Sequence, residues 1–420
     1  MVKKSVDELG GIRNFVKPSE KVLVWVSLAF SFPPPAITDP RVTQAVARLI
    51  LEEAKPKEVV VGAEASAVTH RYRGTSTRES FIASRTAEHC EEIGVKWIPA
   101  DEYGYNTVRF QDGIVARKFR ISKLLSDYDV LINVPRAGQW GFATLETSAG
   151  VKLMAMGLLD DEHKLMWHRN DLAQKICDVF GYIKSTGKNR LTVTDLLLKA
   201  DLRVVGGGIE ELDLILASTD PVASDSIAGW IVGIDIMQWH TESHLRLCNF
   251  YKYGCGDYTQ IKTIGNISLE EAKKLATPAK HTSIFIDGVF PGVHVLPGGV
   301  CNQCYQWCRP MLEFLYVEGS LDKIKEKYGG MTIIIGTKPD LPDEPEDVNG
   351  LPVLFGDCAI EAMMHEHGWY RALDAMGQDA AGRATKLAES GKSIVLIPGC
   401  MPCNARGLMR NFLERDGLLE

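Results

Sequence analysis

The chain has 420 residues, 45% of them hydrophobic and 24% charged, with a formal net charge of −7. This is the composition of a globular protein long enough for two or three domains, with a core that needs no disulfide staple. The acidic balance argues against nucleic acid as the main partner, because phosphate binding needs a basic surface. No apolar run approaches the roughly 20 residues of a membrane span, and the first residues, MVKKSVDELGGIRNF, lack the apolar segment of a secretory signal. The expectation is a cytoplasmic protein with no membrane partner.

In chain order, KVLVWVSLAF (21–30) reads as a buried strand that the PPP at 33–35 breaks. Asp39-Pro40 opens a helix, with Asp39 as the cap and Pro40 in the first turn. Val42, Ala45, Val46, Leu49 and Ile50 give that helix one apolar face. EVVVGAEA (58–65) predicts the next strand, and 79–93 a helix. VKWIPAD (95–101), DVLINVP (129–135), RLTVTDLLL (190–198) and DLILASTDP (213–221) predict further strands, followed by a helix from about Ala223. Strands alternating with helices predict a mostly parallel sheet covered on both faces. Residues 264–281 read as a connector with one short helix. The pattern then restarts with strands at 282–290, 331–337, 353–358 and 393–400 and a helix over 303–328. The expected architecture is α/β: residues 1–263 form a mostly parallel sheet flanked by helices, and residues 282–420 form a second, smaller α/β domain.

The ten cysteines are distributed unevenly, and six of them (Cys301, Cys304, Cys308, Cys358, Cys400 and Cys403) crowd the last third. In a reducing compartment such crowding favours metal binding or catalysis over disulfides. Cys301/Cys304 and Cys400/Cys403 are CxxC pairs, whose spacing lets both sulfurs reach one metal ion or one cluster. Cys358 in LFGDC and Cys400 in LIPGC each close a predicted strand, where open α/β sheets bind ligands. Thiols at strand ends suit an iron–sulfur cluster in a cleft. Two knuckles in a compact ribbon would suit zinc, which stays the alternative. Cys308 and the scattered Cys90, Cys177, Cys248 and Cys255 read as core residues, although Cys308 shares a helical face with Cys301 and Cys304 and stays a reserve ligand.

Other polar positions are candidates of a weaker kind. THRYRGTSTR (69–78) follows a strand and carries Arg71, Arg73 and Arg78, whose guanidinium forks suit carboxylate or phosphate. HKLMWHRN (163–170) offers His168 as a general acid or base, beside His163 and Arg169. His240 and His244 have an i, i+4 spacing compatible with a metal. Gly206–Gly208 read as a turn, and Asp220 as a helix cap. A metal or substrate role for Asp225 is the weaker reading. His365 and His367 lie near Cys358 in sequence.

The segments ITDPRVTQAVARLILE, EVVVGAEA, DVLINVPRAG, SAGVKLMAMGLL, LMWHRNDLAQKICDV, LTVTDLLLKADLRVVGGG and ILASTDPVASDSIAGWIVG occur in order over roughly residues 20–260. In this the first domain resembles the family catalogued as domain of unknown function 362. The last third is similar to a C-terminal region of some members. There a CxxC pair, a Gly-Asn/Asp-Cys-Ala segment and a Gly-Cys-Pro segment recur; Cys301/Cys304 and GDCA at 356–359 match the first two, and Gly399-Cys400 matches the Gly-Cys of the third. The resemblance implies Cys301, Cys304, Cys358 and Cys400 as ligands of a [4Fe-4S] cluster, with Cys403 an additional thiol. It also implies a fold related to that of nickel-dependent lactate racemases. The chain departs from the family in three places. Trp25-Val26-Ser27 stands where a Lys-Pro-Asn run is usual, and Lys152-Leu153 replaces Lys-Asn. Arg136-Ala137-Gly138-Gln139 stands where a basic residue and a histidine are usual. The longer cysteine run of a ferredoxin-like tail is absent.

The expectation is an oxygen-sensitive iron–sulfur protein whose cluster faces a cleft between the two domains. The leading function is a lyase or oxidoreductase on a small anionic substrate, by elimination, hydration or reduction, with His168, Arg71, Arg73 and Arg136 as catalytic candidates. A redox partner protein and a homodimer are compatible with it. The rival classes are a non-catalytic electron-transfer or cluster-delivery protein and a zinc-stabilised binding protein.

Overall fold

A computed structural model describes the chain outside residues 29–33, 66–75, 138–148, 168–170, 201–208, 234–235, 238–243, 278–289, 299, 301, 340–347, 366–392, 400–404 and 420. It divides into two compact units, Met1–Trp140 with Thr144–Ala279, and Lys280–Glu420. The division falls inside the stretch read as a connector. There the helix Leu269–Leu275 is closed by a capping box between Ser268 and Glu271.

Unit 1 carries β1 (Lys21–Val26), β2 (Glu58–Ala63), β3 (Lys96–Pro99), β4 (Tyr105–Arg109), β5 (Lys118–Ser122), β6 (Val130–Val134), β7 (Asn189–Ala200) and β8 (Ile209–Ser218). Six of them form one sheet in the order β3-β2-β1-β6-β7-β8, and β4 and β5 pair separately. β1 is parallel to both β2 and β6. Its Val22–Val26 are all buried, as expected of a strand covered on both faces. Alternate residues serve different faces. Val22, Val24 and Val26 pack with Val42 and Val46 of the helix Pro40–Leu49 and with Phe81 and Cys90. Trp25 points the other way, and its Nε1 donates to the Leu153 carbonyl of the helix Gly150–Gly157. Each fully buried aliphatic side chain contributes about 2 kcal/mol.

Asp39 caps its helix as the sequence predicts, accepting from the Arg41 amide, with Pro40 in the first turn. Asp220 does the same for the helix Pro221–Ile231, accepting from the Val222 and Ala223 amides. The sheet is not wholly parallel, because β7 and β8 form an antiparallel pair. The helix expected over 79–93 is two helices, Thr77–Ala83 and Thr86–Glu91. Arg85, at φ +63°, breaks the run between them. The β4–β5 pair was not anticipated.

Unit 2 has four parallel strands, β9 (Val293–Gly298), β10 (Met331–Gly336), β11 (Leu351–Phe355) and β12 (Val395–Ile397), in the order β12-β11-β10-β9. β9 is a strand the sequence reading missed, since VHVLPG carries a proline and only weak alternation. The strand expected at 282–290 lies outside the described residues except Phe290. The single helix expected over 303–328 is Asn302–Val317 and Ser320–Tyr328. Gly319, at φ +69°, separates them.

One buried carboxylate ties the helices of unit 1 together. Asp225 is fully buried and accepts from the Gly150 amide at 2.7 Å and the Val151 amide at 2.9 Å. Burial pushes it up to about 7, although both amides pull the other way. Its folded value lies above its unfolded one, so its contribution is full below pH 3.8 and declines as pH rises to about 7. Asp225→Asn should remove that part of the pH dependence of the urea midpoint. Asp225→Ala, which leaves two buried amides unpaired, should cost roughly 3 kcal/mol at every pH.

Candidate functional site

Parallel strands present all their carboxyl ends on one edge. In unit 2, β9 leads toward the helix Asn302–Val317, which carries Cys304 in its first turn. β11 ends at Phe355, and the helix Asp357–His365 begins two residues later. Cys358 therefore sits in a helical first turn and not on the strand end predicted for it. Gly356, between strand and helix, has φ +89° and faces the Cys304 thiol. A Cβ added there would stand 2.6 Å from Cys304 Sγ, so only glycine fits.

Two hydrogen bonds bind this turn to the end of β12. The Gly356 amide donates to the Ile397 carbonyl at 2.8 Å. The Gly399 amide donates to Asp357 Oδ1 at 2.6 Å. The residue before Cys400 is thus held against the residue before Cys358, with the Cys304 sulfur beside the same turn. Cys304 is buried and Cys358 half-buried. Cys308, one helical turn beyond Cys304, is fully buried among Met311, Leu312 and Phe355. Burial pushes its thiol well above the ordinary range, so it is an inert core residue.

Cys301, Cys400 and Cys403 lie outside the described residues, as do Arg71, Arg73, His168, Arg169, His240, Gly206–Gly208 and His367; of His365 only the backbone is described. Among the described residues no three His, Cys, Asp or Glu side chains form a metal-sized group. Cys90, Cys177 and Cys248 are buried, with the Sγ atoms of the last two 3.6 Å apart. Arg78 forms an exposed ion pair with Glu102. His244 is buried. His163 Nδ1 lies 2.5 Å from Asp160 Oδ1.

The carboxyl edge of the unit 1 sheet gathers a second set of polar groups. The strand order reverses direction between β1 and β6, which makes that point the topological switch of the sheet. Thr38 bridges it. Its hydroxyl donates to the Val134 carbonyl at 2.8 Å and accepts from the Ser27 amide at 3.0 Å. Arg136, two residues past β6, forms a parallel bridge with Asp195 of β7. Asp195 uses both carboxylate oxygens on backbone amides, from Asp39 at 2.8 Å and Leu197 at 3.0 Å. Arg136 is 5% exposed. Burial pulls its guanidinium down to about 10, against the charge of Asp195. Among the described residues, its side chain has no hydrogen-bond partner at Nε and no carboxylate at ion-pair distance.

Glu64 directly follows β2. It is fully buried, and its Oε1 lies 2.5 Å from Lys164 Nζ. Burial pushes the carboxyl up to about 7, while Lys164 and the Tyr105 hydroxyl work in the opposite direction. Sequence reasoning missed this pair. The available signal was a glutamate closing an otherwise apolar strand in EVVVGAEA. Lys164 stood within HKLMWHRN, where the histidines drew attention.

A mostly parallel sheet with a switch point, and a second parallel sheet with thiols at its carboxyl edge, define an α/β protein with one candidate site in each unit. Residues 22–229 match the family model described as Domain of unknown function (DUF362). A thylakoid-associated protein of Synechocystis sp. is 27% identical over 237 residues, which are 55% of this chain and 68% of that protein. The lactate racemase apoprotein of Thermoanaerobacterium thermosaccharolyticum is 12% identical with a TM-score of 0.38, covering 79% of this chain and 66% of that one. A protein of Thermotoga maritima is 14% identical with a TM-score of 0.29, covering 50% of this chain and 54% of that one. No helix among the described residues is long and apolar enough to cross a membrane.

Removing one partner of a buried ion pair strands the other. Lys164→Met should cost about 3 kcal/mol or more at pH 8, where Glu64 would be ionised, and less at pH 5, where its carboxyl is protonated. Urea unfolding at the two pH values checks this. An equal loss at both would mean that charge is not what the pair contributes.

Proposed function

We propose that unit 2 holds an iron–sulfur cluster and that the protein is a cluster-dependent enzyme acting on a small anionic substrate. The carrying observation is the tight turn at Gly356. The Cys304 sulfur lies against it, Cys358 follows it, and the Gly399 amide is bonded to it just before Cys400. Donor chemistry supports the same reading. Thiolates are the usual ligands of iron–sulfur clusters, and glycine turns let backbone N–H groups approach cluster sulfides. Cys304, Cys358, Cys301 and Cys400 are the ligands of this proposal, with Cys403 as an additional thiol. Cys308, protonated and packed in the core, has no part in it.

When bound, such a cluster supplies an electron or, where only three of these thiols bind it and the fourth iron stays open, a Lewis acid. Elimination or hydration of a hydroxy acid and reduction are the reaction classes that fit. The proposal places the protein in a reducing, cytoplasmic compartment.

The test is anaerobic purification followed by iron, sulfide, zinc and EPR analysis. The expected result is a brown protein with iron and acid-labile sulfide in equal amounts. Cys304→Ala and Cys358→Ala should each lower both. Gly356→Ala should do the same without removing a thiol, because its methyl group occupies the place of the Cys304 sulfur. Near-zero iron and sulfide would sink the reading, and stoichiometric zinc in their place would make the protein a zinc-stabilised one. A full cluster that leaves every iron coordinated by thiolate would favour an electron carrier.

A further inference from the structure

Arg136 occupies a position that a folded chain does not fill without cause. Taking a guanidinium out of water costs several kcal/mol unless hydrogen bonds and a counter-charge replace the lost hydration. At 5% exposure Arg136 has lost nearly all of that hydration. Its Nε is buried without a hydrogen-bond partner among the described residues. Asp195 is the charge that acts on it, yet both Asp195 oxygens are already engaged by the Asp39 and Leu197 amides. The five donors of the fork therefore lie at the β1/β6 switch point, where open α/β sheets bind ligands, with no protein acceptor assigned to them.

The surroundings also select the anion. In many doubly wound folds a phosphate sits on the free N–H groups of the helix after β1. Here that helix is closed. Asp39 caps it, Pro40 has no N–H, and the Arg41 and Val42 amides are bonded to Asp39. Burial raises the Asp195 carboxyl, and the charge of Asp39 adds to that effect. A single guanidinium matches a monoanion in charge, whereas a dianion would leave one charge uncompensated. A planar carboxylate also matches the fork with two parallel hydrogen bonds.

We infer that Arg136 is the anchor for the carboxylate of a small monoanionic ligand bound at the switch point of the unit 1 sheet. This deepens the preceding reading and rests on it only for calling the ligand a substrate, since the site is built without the cysteines.

The test is calorimetric titration and thermal unfolding of the full chain with sodium lactate, sodium acetate and inorganic phosphate at constant ionic strength. Lactate or acetate should bind saturably and raise the melting temperature, with phosphate at least tenfold weaker. Arg136→Met should weaken carboxylate binding at least tenfold, while its own melting temperature without ligand stays at or above that of the wild type. A merely structural arginine would lower it. Arg136→Lys, which keeps the charge and loses the fork, should fall between. Carboxylate binding that survives Arg136→Met, phosphate binding as tight as carboxylate, or no saturable carboxylate binding to the wild type would each overturn the inference. Cys358→Ala separates the two readings. If the cluster reading fails, carboxylate binding in this variant and in the wild type still stands or falls with Arg136.

Discussion

The pairing of β1 with β2 on one side and β6 on the other is the constraint on which the larger unit depends. Parallel pairing aligns the three carboxyl ends, so the residues that follow each strand meet at one edge. It also assigns faces. Gly62 and Asn133 are both level with Trp25, and Val134 is level with Val26 on the opposite face. Continued alternation carries Glu64 toward the Trp25 face and Arg136 toward the valine face. Two strand spacings, about 10 Å, separate the strands that bear them. The edge thus presents an acid and a base that do not neutralise each other, and each had to be accommodated locally.

The accommodation differs from group to group. Glu64 has a direct cation in Lys164, yet burial still raises its carboxyl toward neutrality. Asp225 holds two amides at the start of a helix and, among the described residues, no cation, which makes it a clamp between secondary elements. Asp195 also spends its oxygens on amides, joining β7 to the first turn of the helix after β1. Arg136 is the charge that these arrangements leave over. Carboxylates can be satisfied by backbone amides, which a folded chain has in abundance at helix starts. A guanidinium needs acceptors in a fixed fork, and at this edge the Pro135 and Asp195 carbonyls already accept from the Asp195 and Ala137 amides.

Unit 2 applies the same edge geometry to sulfur. Its four strands are all parallel, so the turns after β9, β11 and β12 converge. The contact between Cys304 and Gly356 is a matter of volume. The sulfur sits where any side chain at position 356 would be, and the positive φ of Gly356 lets the chain turn without one. Cys308 shows the contrast within a single helix. One turn further along, the same side chain is enclosed by aliphatic and aromatic neighbours and held as a thiol.

Much of the fold was legible in the sequence because its signals are local. The apolar run of β1, the Asp39-Pro40 and Asp220-Pro221 helix starts, and the alternation of strands with helices each depend on a few neighbouring residues. So do the CxxC spacing and the glycines before Cys358 and Cys400. What could not be read were features set by distant partners. The antiparallel return of β8 on β7, the break at Arg85 and the displacement of Cys358 from strand end to helical turn depend on packing rather than local preference. The pairing of Glu64 with Lys164 and the isolation of Arg136 beside an already engaged Asp195 depend on strand order. By itself the sequence determined an α/β chain with thiols gathered at the carboxyl ends of its last strands. Only the tertiary structure decided which charges lose water and which of them find partners, because desolvation is a property of the assembled edge and not of any segment within it.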